Sequence, residues 1–292
     1  MTEPLPNAVD GERLEHHGAS GPLAYYVSGE GPPMLMLHSI NAAASAVEMR
    51  PIFERMKSSF RVYAPDLPGF GHSDRSKRPY TIELFCDAVR DMLAVIGAES
   101  KIHGVGLSLS SEFLARVAAE SPDRFASLTF VTPTGLNRGS DALRKPGENK
   151  EIPGFSAIFE FPLWRRALFR ALTAKGSIRY FLKRTYGGPD VDEAMVEYDY
   201  LSTRQPGAAN APFAFLSGRL FSRDVRLLYE KLNVPVWVPH GTRGDFRDFS
   251  GARWTEEREN WRVQPFESGA LVHYEQPEKF FSSFEEFLAG AR

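Results

Sequence analysis

The sequence predicts an α/β fold in which a mostly parallel sheet with helices on both faces is interrupted by an inserted helical segment. Three observations carry this expectation. Short β-type runs alternate with longer helical patterns through the first half of the chain, an order that suits a sheet covered by helices. From "MLMLHSI" onward each run is almost continuously apolar, as strands buried on both faces must be. After Gly135 the strand signal stops, and it returns only at "VPVWVPHG".

Taken in order, "RLEHHGA" and "LAYYVSG" read as a hairpin, because Gly18 to Gly21 supplies turn residues between them. "MLMLHSI", "RVYAPDL", "KIHGVGLS" and "SLTFVTP" follow as parallel strands. Between them, "AVEMRPIFERMKSSF", "TIELFCDAVRDMLAVIG" and "SSEFLARVAAESPDRF" place apolar side chains at helical spacing, and Pro122 stands just past the end of the last helix. Residues 138–212 contain polar turns and the helical stretch "FPLWRRALFRALTAKGSIRYFLKRTYG", with no convincing strand. "VPVWVPHG" and "RVQPFES" then complete the sheet. The expected division is a core of residues 1–137 and 213–292 with a helical cap at 138–212.

Composition narrows the function. The 292 residues are 42% hydrophobic and 25% charged, ordinary usage for a folded domain. The 35 basic and 37 acidic side chains leave a formal charge of −2, so nucleic acid and anionic membranes are not expected partners. Cys86 lies in an amphipathic helix and reads as a buried inert thiol. The N-terminal stretch lacks a signal-peptide pattern and no segment approaches a membrane span, so a cytoplasmic location is expected. No repeat or metal-ligand cluster stands out; His16 and His17 are adjacent and point to opposite faces of a strand. The insertion is locally basic through Arg165, Arg166, Arg170, Lys175, Arg179, Lys183 and Arg184, with Trp164, Phe169, Tyr180 and Phe181 interleaved. A solvated cationic face opposite an apolar packing face accounts for it.

The stretch "VGLSLSSEFLARVA" places Gly106, Leu107, Ser108, Leu109 and Ser110 where a strand gives way to a helix. A nucleophilic serine there needs a sharp turn with small residues two places to either side. Gly106 supplies one and Ser110 replaces the usual second glycine. The Leu109 N–H would be one oxyanion donor.

With these residues the chain resembles the α/β-hydrolase fold superfamily through nearly its whole length outside the cap, which implies an eight-stranded sheet. "MLMLHSINAAAS" is similar to the family's His-Gly segment, with Ser39 in the glycine place, and "RVYAPDLPGFGHSDR" to its structural segment after the next strand. "VPVWVPHGTRGDF" resembles the strand and loop that present the triad acid, which carries over to Asp245, with Asp248 a rival. The resemblance assigns the second oxyanion donor to the Ile40 N–H and gives Asp66 and His72 structural roles. It departs at "SGALVHYEQPEKF", where Ala270 stands in the place of the general base.

Three alternatives follow. His273, three residues on, takes over as base; His38, on a neighbouring strand end, does so; or no base exists. The first implies hydrolysis of a small apolar ester, or of a carbon–carbon bond beside a ketone, with Ser108 as nucleophile and Asp245 orienting His273. The last implies a non-hydrolytic ligand-binding protein or lyase. A dehalogenase is disfavoured, since Ser108 stands where that family has a carboxylate. His38, Ser39, Asn41, Leu107 and Ala270 are expected around the pocket, and no cofactor or metal is implied.

Overall fold

The computed structural model describes residues 3–139, 148–152, 154 and 162–291, with the side chains of residues 162 and 163 excepted. The remaining positions of the predicted insertion lie outside the described residues.

The eight expected strands form one open sheet. They are β1 (Glu12–Gly18), β2 (Gly21–Ser28), β3 (Pro33–Leu37), β4 (Arg61–Pro65), β5 (Ile102–Leu107), β6 (Phe125–Val131), β7 (Val236–Gly241) and β8 (Trp261–Phe266). Their spatial order is β1-β2-β4-β3-β5-β6-β7-β8. The β1–β2 hairpin is antiparallel, β2 joins β4 antiparallel, and every later pairing is parallel. Gly21 turns the hairpin at φ 84°, a left-handed value that glycine adopts without strain.

Alternation along the strands sends side chains into two layers. Met34 and Met36 of β3 pack with α1 (Arg50–Met56) and α10 (Pro277–Gly290), through Ile52, Phe53, Phe280 and Phe284. Leu35 and Leu37 point the other way, to α2 (Ile82–Ile96), α3 (Ser110–Glu120) and α8 (Val225–Glu230). Cys86 lies in that second layer, and burial pushes its thiol up to about 12. It is inert at neutral pH.

Between β6 and β7 run α4 (Pro162–Leu172), α5 (Lys175–Tyr186), α6 (Glu193–Arg204) and α7 (Asn210–Leu216). The expected boundary at 212/213 falls inside α7. The single helical stretch predicted from "FPLWRRALFRALTAKGSIRYFLKRTYG" breaks at Ala174, which is extended at ψ 147° while Thr173 Oγ1 donates back to the Phe169 carbonyl. Cationic side chains of α5 pair with acids of α6: Lys175 with Glu197 and Arg179 with Glu193. The expected apolar packing face is only partly made. Phe169 is buried against Phe213, but Trp164, Tyr180 and Phe181 are exposed.

No helix among the described residues is long and apolar enough to cross a membrane.

Candidate active site

Ser108 occupies the turn between β5 and α3 at φ 55°, a left-handed backbone that a side chain-bearing residue rarely adopts. Three contacts hold it there. Its N–H donates to the Val131 carbonyl at the end of β6 (2.9 Å), and Ser111 Oγ donates to the Gly106 carbonyl (3.0 Å). Ser110 Oγ donates to the His38 carbonyl, tying the helix start to the loop after β3. Gly106 is required by the close crossing, since a Cβ there would sit 3.0 Å from Ser111 Cα. The residue replacing the second glycine therefore does more than fit: its hydroxyl joins the two backbone segments that flank the serine.

The N–H groups of Ile40 and Leu109, at those two segments, have no acceptor among the described residues. The loop carrying Ile40 is braced by a carboxylate that sequence reasoning missed. Glu48 accepts from the Ser39 N–H (2.7 Å), from Ser39 Oγ (2.9 Å) and from the Asn41 amide (2.8 Å). Burial pushes Glu48 up to about 7 in spite of these bonds. A lone acid between the buried Val47 and Met49 was the signal that could have found it.

Neither His273 nor Asp245 makes a hydrogen bond to Ser108 among the described residues. Among the described residues, the Ser108 hydroxyl makes no hydrogen bond with a histidine. His273 lies in the short helix α9 (Val272–Glu275) and is wholly buried. Its Nε2–H donates to the Glu48 carbonyl (2.8 Å), Nδ1 has no partner among the described residues, and the ring packs 5.7 Å from Phe280. Burial lowers its pKa to about 4, so it is neutral at physiological pH yet aimed into the core.

Asp245 is exposed on the loop after β7, and its carboxylate accepts from Arg184 Nε (2.6 Å). Among the described residues it makes no hydrogen bond to an imidazole. Asp248 accepts from the Ser250 N–H and hydroxyl and from the Arg138 N–H, which makes it a loop-closing group. His38 is excluded as a base by its own bonds: Nδ1–H donates to the Ser39 carbonyl (2.6 Å) and Nε2 accepts from the Leu67 N–H (2.9 Å). Burial lowers its pKa to about 4 as well. Asp66 accepts from the N–H groups of Ala46 and His72 within the turn after β4.

Ala270 is nevertheless docked at the sheet edge. Its N–H donates to the Thr185 carbonyl (2.8 Å), and its carbonyl accepts from Thr132 Oγ1 (2.8 Å), one residue past the carbonyl that receives the Ser108 N–H. The loop carrying Ala270 is thus tied to the end of β6 and to α5.

A cavity of about 230 Å³ opens between the insertion helices and the sheet's carboxyl edge. Asn41 and Asp245 line it together with Leu172, Ile178, Phe181 and Asp199. The other residues expected there are not in its wall. Ser108, His38, Ser39, Ile40 and Ala270 lie outside the lining, and Leu107 is packed in the core. No group of three or more metal-ligating side chains occurs among the described residues.

A family profile for the α/β hydrolase fold matches residues 32–179, just over half of the chain. An uncharacterized protein of Mycobacterium bovis is 28% identical over 115 residues, 39% of this chain and 33% of its own length. The chain therefore matches only about a third of that relative. A 2-hydroxy-6-oxononadienedioate/2-hydroxy-6-oxononatrienedioate hydrolase of Comamonas testosteroni is 33% identical over 112 residues, 37% of this chain and 39% of that protein. The solved structure of the epoxide hydrolase CorEH superposes with a TM-score of 0.74 at 22% identity, covering 96% of this chain and 99% of that one. With the sheet order, the serine turn between β5 and α3 and the profile in agreement, the chain belongs to the α/β hydrolase fold family.

Proposed function

We propose that the chain binds a small, predominantly apolar organic molecule in the cavity beneath helices α4 to α7, the described helices of a cap expected at residues 138–212. In this reading Ser108 is kept in nucleophile geometry but has no base. The observation that supports it is the disposition of the C-terminal loop: Ala270 offers a methyl group, while His273 is bonded to the Glu48 carbonyl inside the core. Asp245, which would orient a base, is held by Arg184 from the cap side. The Ile40 and Leu109 N–H groups can polarise a carbonyl placed at Ser108, but the Oγ proton has only solvent to accept it.

A second reading is hydrolysis of a small ester, or of a carbon–carbon bond beside a ketone, with Ser108 as nucleophile. The left-handed Ser108 and the two unused N–H groups favour it, as does the name of the Comamonas relative. Its rate is bounded. Oxyanion stabilisation and binding alone give about 10³–10⁴ over water, whereas loss of a triad histidine costs roughly 10⁶ in kcat.

The deciding experiment is intact mass and peptide mapping after exposure to a reactive fluorophosphonate, for the parent protein, His273→Ala and Ser108→Ala. The expected result is no rapid label on Ser108 and no effect of His273→Ala. Rapid labelling of Ser108 in the parent would overturn the binding reading, and its collapse in His273→Ala would return His273 to the mechanism.

A further inference from the structure

The cavity wall contains one polar group that the fold leaves unanswered. Arg184 and Asp245 are paired with each other. The Asn41 amide donates to Ser39 and Glu48 while its oxygen accepts from the Ala43 N–H, and Thr185 Oγ1 donates to the Phe181 carbonyl. Asp199, on α6, is only 6% exposed and makes no hydrogen bond to a described residue; its Oδ1 is closed to solvent, which leaves Oδ2 as the oxygen a ligand can reach. It lines the cavity beside Leu172, Ile178, Leu182 and Phe215.

A buried carboxyl group without a hydrogen bond is costly to the folded state, and a ligand in the cavity is what can supply the bond. Burial first, and then the neighbouring carboxyl groups of Glu48 and Asp192, hold Asp199 well above the usual carboxylate range against the opposing pull of Arg50. These influences favour the protonated form, which has one O–H to donate.

We propose that Asp199 is the polar recognition point of the cavity, its carboxylic acid donating a hydrogen bond to an uncharged oxygen, carbonyl or hydroxyl, of an otherwise apolar ligand. This rests on the cavity-binding reading given above.

Acetophenone, ethylbenzene and 1-phenylethylamine share one carbon skeleton and differ only in the polar group, so they serve as probes. Affinities would be measured by calorimetry and ligand-observed NMR for the parent, Asp199→Asn and Asp199→Leu. The parent is expected to favour acetophenone over ethylbenzene by about tenfold, the contribution of one net hydrogen bond. Asp199→Asn, which keeps an N–H donor, retains the preference. Asp199→Leu abolishes it while holding ethylbenzene at least as well and melting at a higher temperature, which a purely structural aspartate would not allow.

Equal binding of ketone and hydrocarbon by the parent, or a preference that survives Asp199→Leu, overturns the assignment and leaves the cavity reading standing. Tightest binding of the amine, lost in Asp199→Asn, overturns it in favour of a cation site. Binding of none of the three probes removes both the assignment and the cavity reading.

Discussion

Ala270→His should restore serine-dependent ester hydrolysis if a base is what the site lacks. The backbone at this position is already fixed: the Gly269 N–H donates to Glu275 (2.6 Å), the Ala270 N–H to Thr185 (2.8 Å), and the Ala270 carbonyl accepts from Thr132 (2.8 Å). The alanine is 7% exposed, so the larger ring enters packed surroundings, at a cost of about 1–3 kcal/mol. In a chain of this size that lowers Tm by roughly 2–10 °C, and the protein remains folded.

The gain in rate can be bounded as well. Loss of a triad histidine costs roughly 10⁶ in kcat, and loss of the acid alone roughly 10⁴. A histidine without its acid should therefore return about 10²-fold. Asp245 is held only by an exposed pair with Arg184, a kind of contact that contributes little. The double change Ala270→His/Arg184→Leu should add at most about tenfold more. Initial rates on p-nitrophenyl butyrate, corrected by the same variants carrying Ser108→Ala, give the answer. A folded Ala270→His protein whose Ser108-dependent rate stays within about twofold of the parent would refute the argument, because the serine turn would then not be a nucleophile site.

Two further predictions concern Ser108 and His273. The left-handed backbone at Ser108 costs about 1–2 kcal/mol, and glycine gives back about 0.5–1 kcal/mol through its freer unfolded chain. Ser108→Gly should thus be more stable than Ser108→Ala by about 0.5–1 kcal/mol in urea unfolding, and a less stable glycine variant would remove the strain. For His273, the folded pKa of about 4 lies below the ordinary value of 6.5. Between those values the unfolded chain binds a proton that the folded protein does not, so this contribution to stability is present above pH 6.5 and is lost as pH falls through 4. The stability of the parent relative to His273→Phe should fall by about 3 kcal/mol from pH 7 to pH 4. A pH-independent difference would mean that the imidazole is not held neutral in the core.

The same titration bears on activity. An imidazole that stays neutral down to about pH 4 cannot give a rate profile rising through pH 6–7, so any such profile belongs to another group. Glu48, at about 7 and bonded to the loop that carries Ile40, is the group placed to produce one.

The sheet and its serine turn were legible because they rest on local and periodic signals. A parallel strand covered on both faces has to be apolar along its length, which made β3 to β7 legible, whereas the antiparallel β1–β2 hairpin was marked by its turn residues Gly18 to Gly21; β3 ends at Leu37 and leaves His38 to Ile40 in the loop. The serine turn could be found because Gly106 must be small where β5 passes Ser111. The absence of an imidazole at position 270 was likewise plain in the sequence. What replaces it was not, because the direction of His273 depends on α9 facing the Glu48 carbonyl, a contact across 225 positions of chain. The partner of Asp245 was equally hidden, since Arg184 reaches it from a helix 61 residues away. Asp199 sits on α6 with the buried Met195, Val196 and Ser202, a helical spacing that marks an inward face. Only the packing of α6 against the cavity decided that this face would leave a carboxyl oxygen without a partner. Sequence spacing fixes which side of an element a residue occupies, whereas the identity of the group opposite it is set by how elements distant in the chain come together.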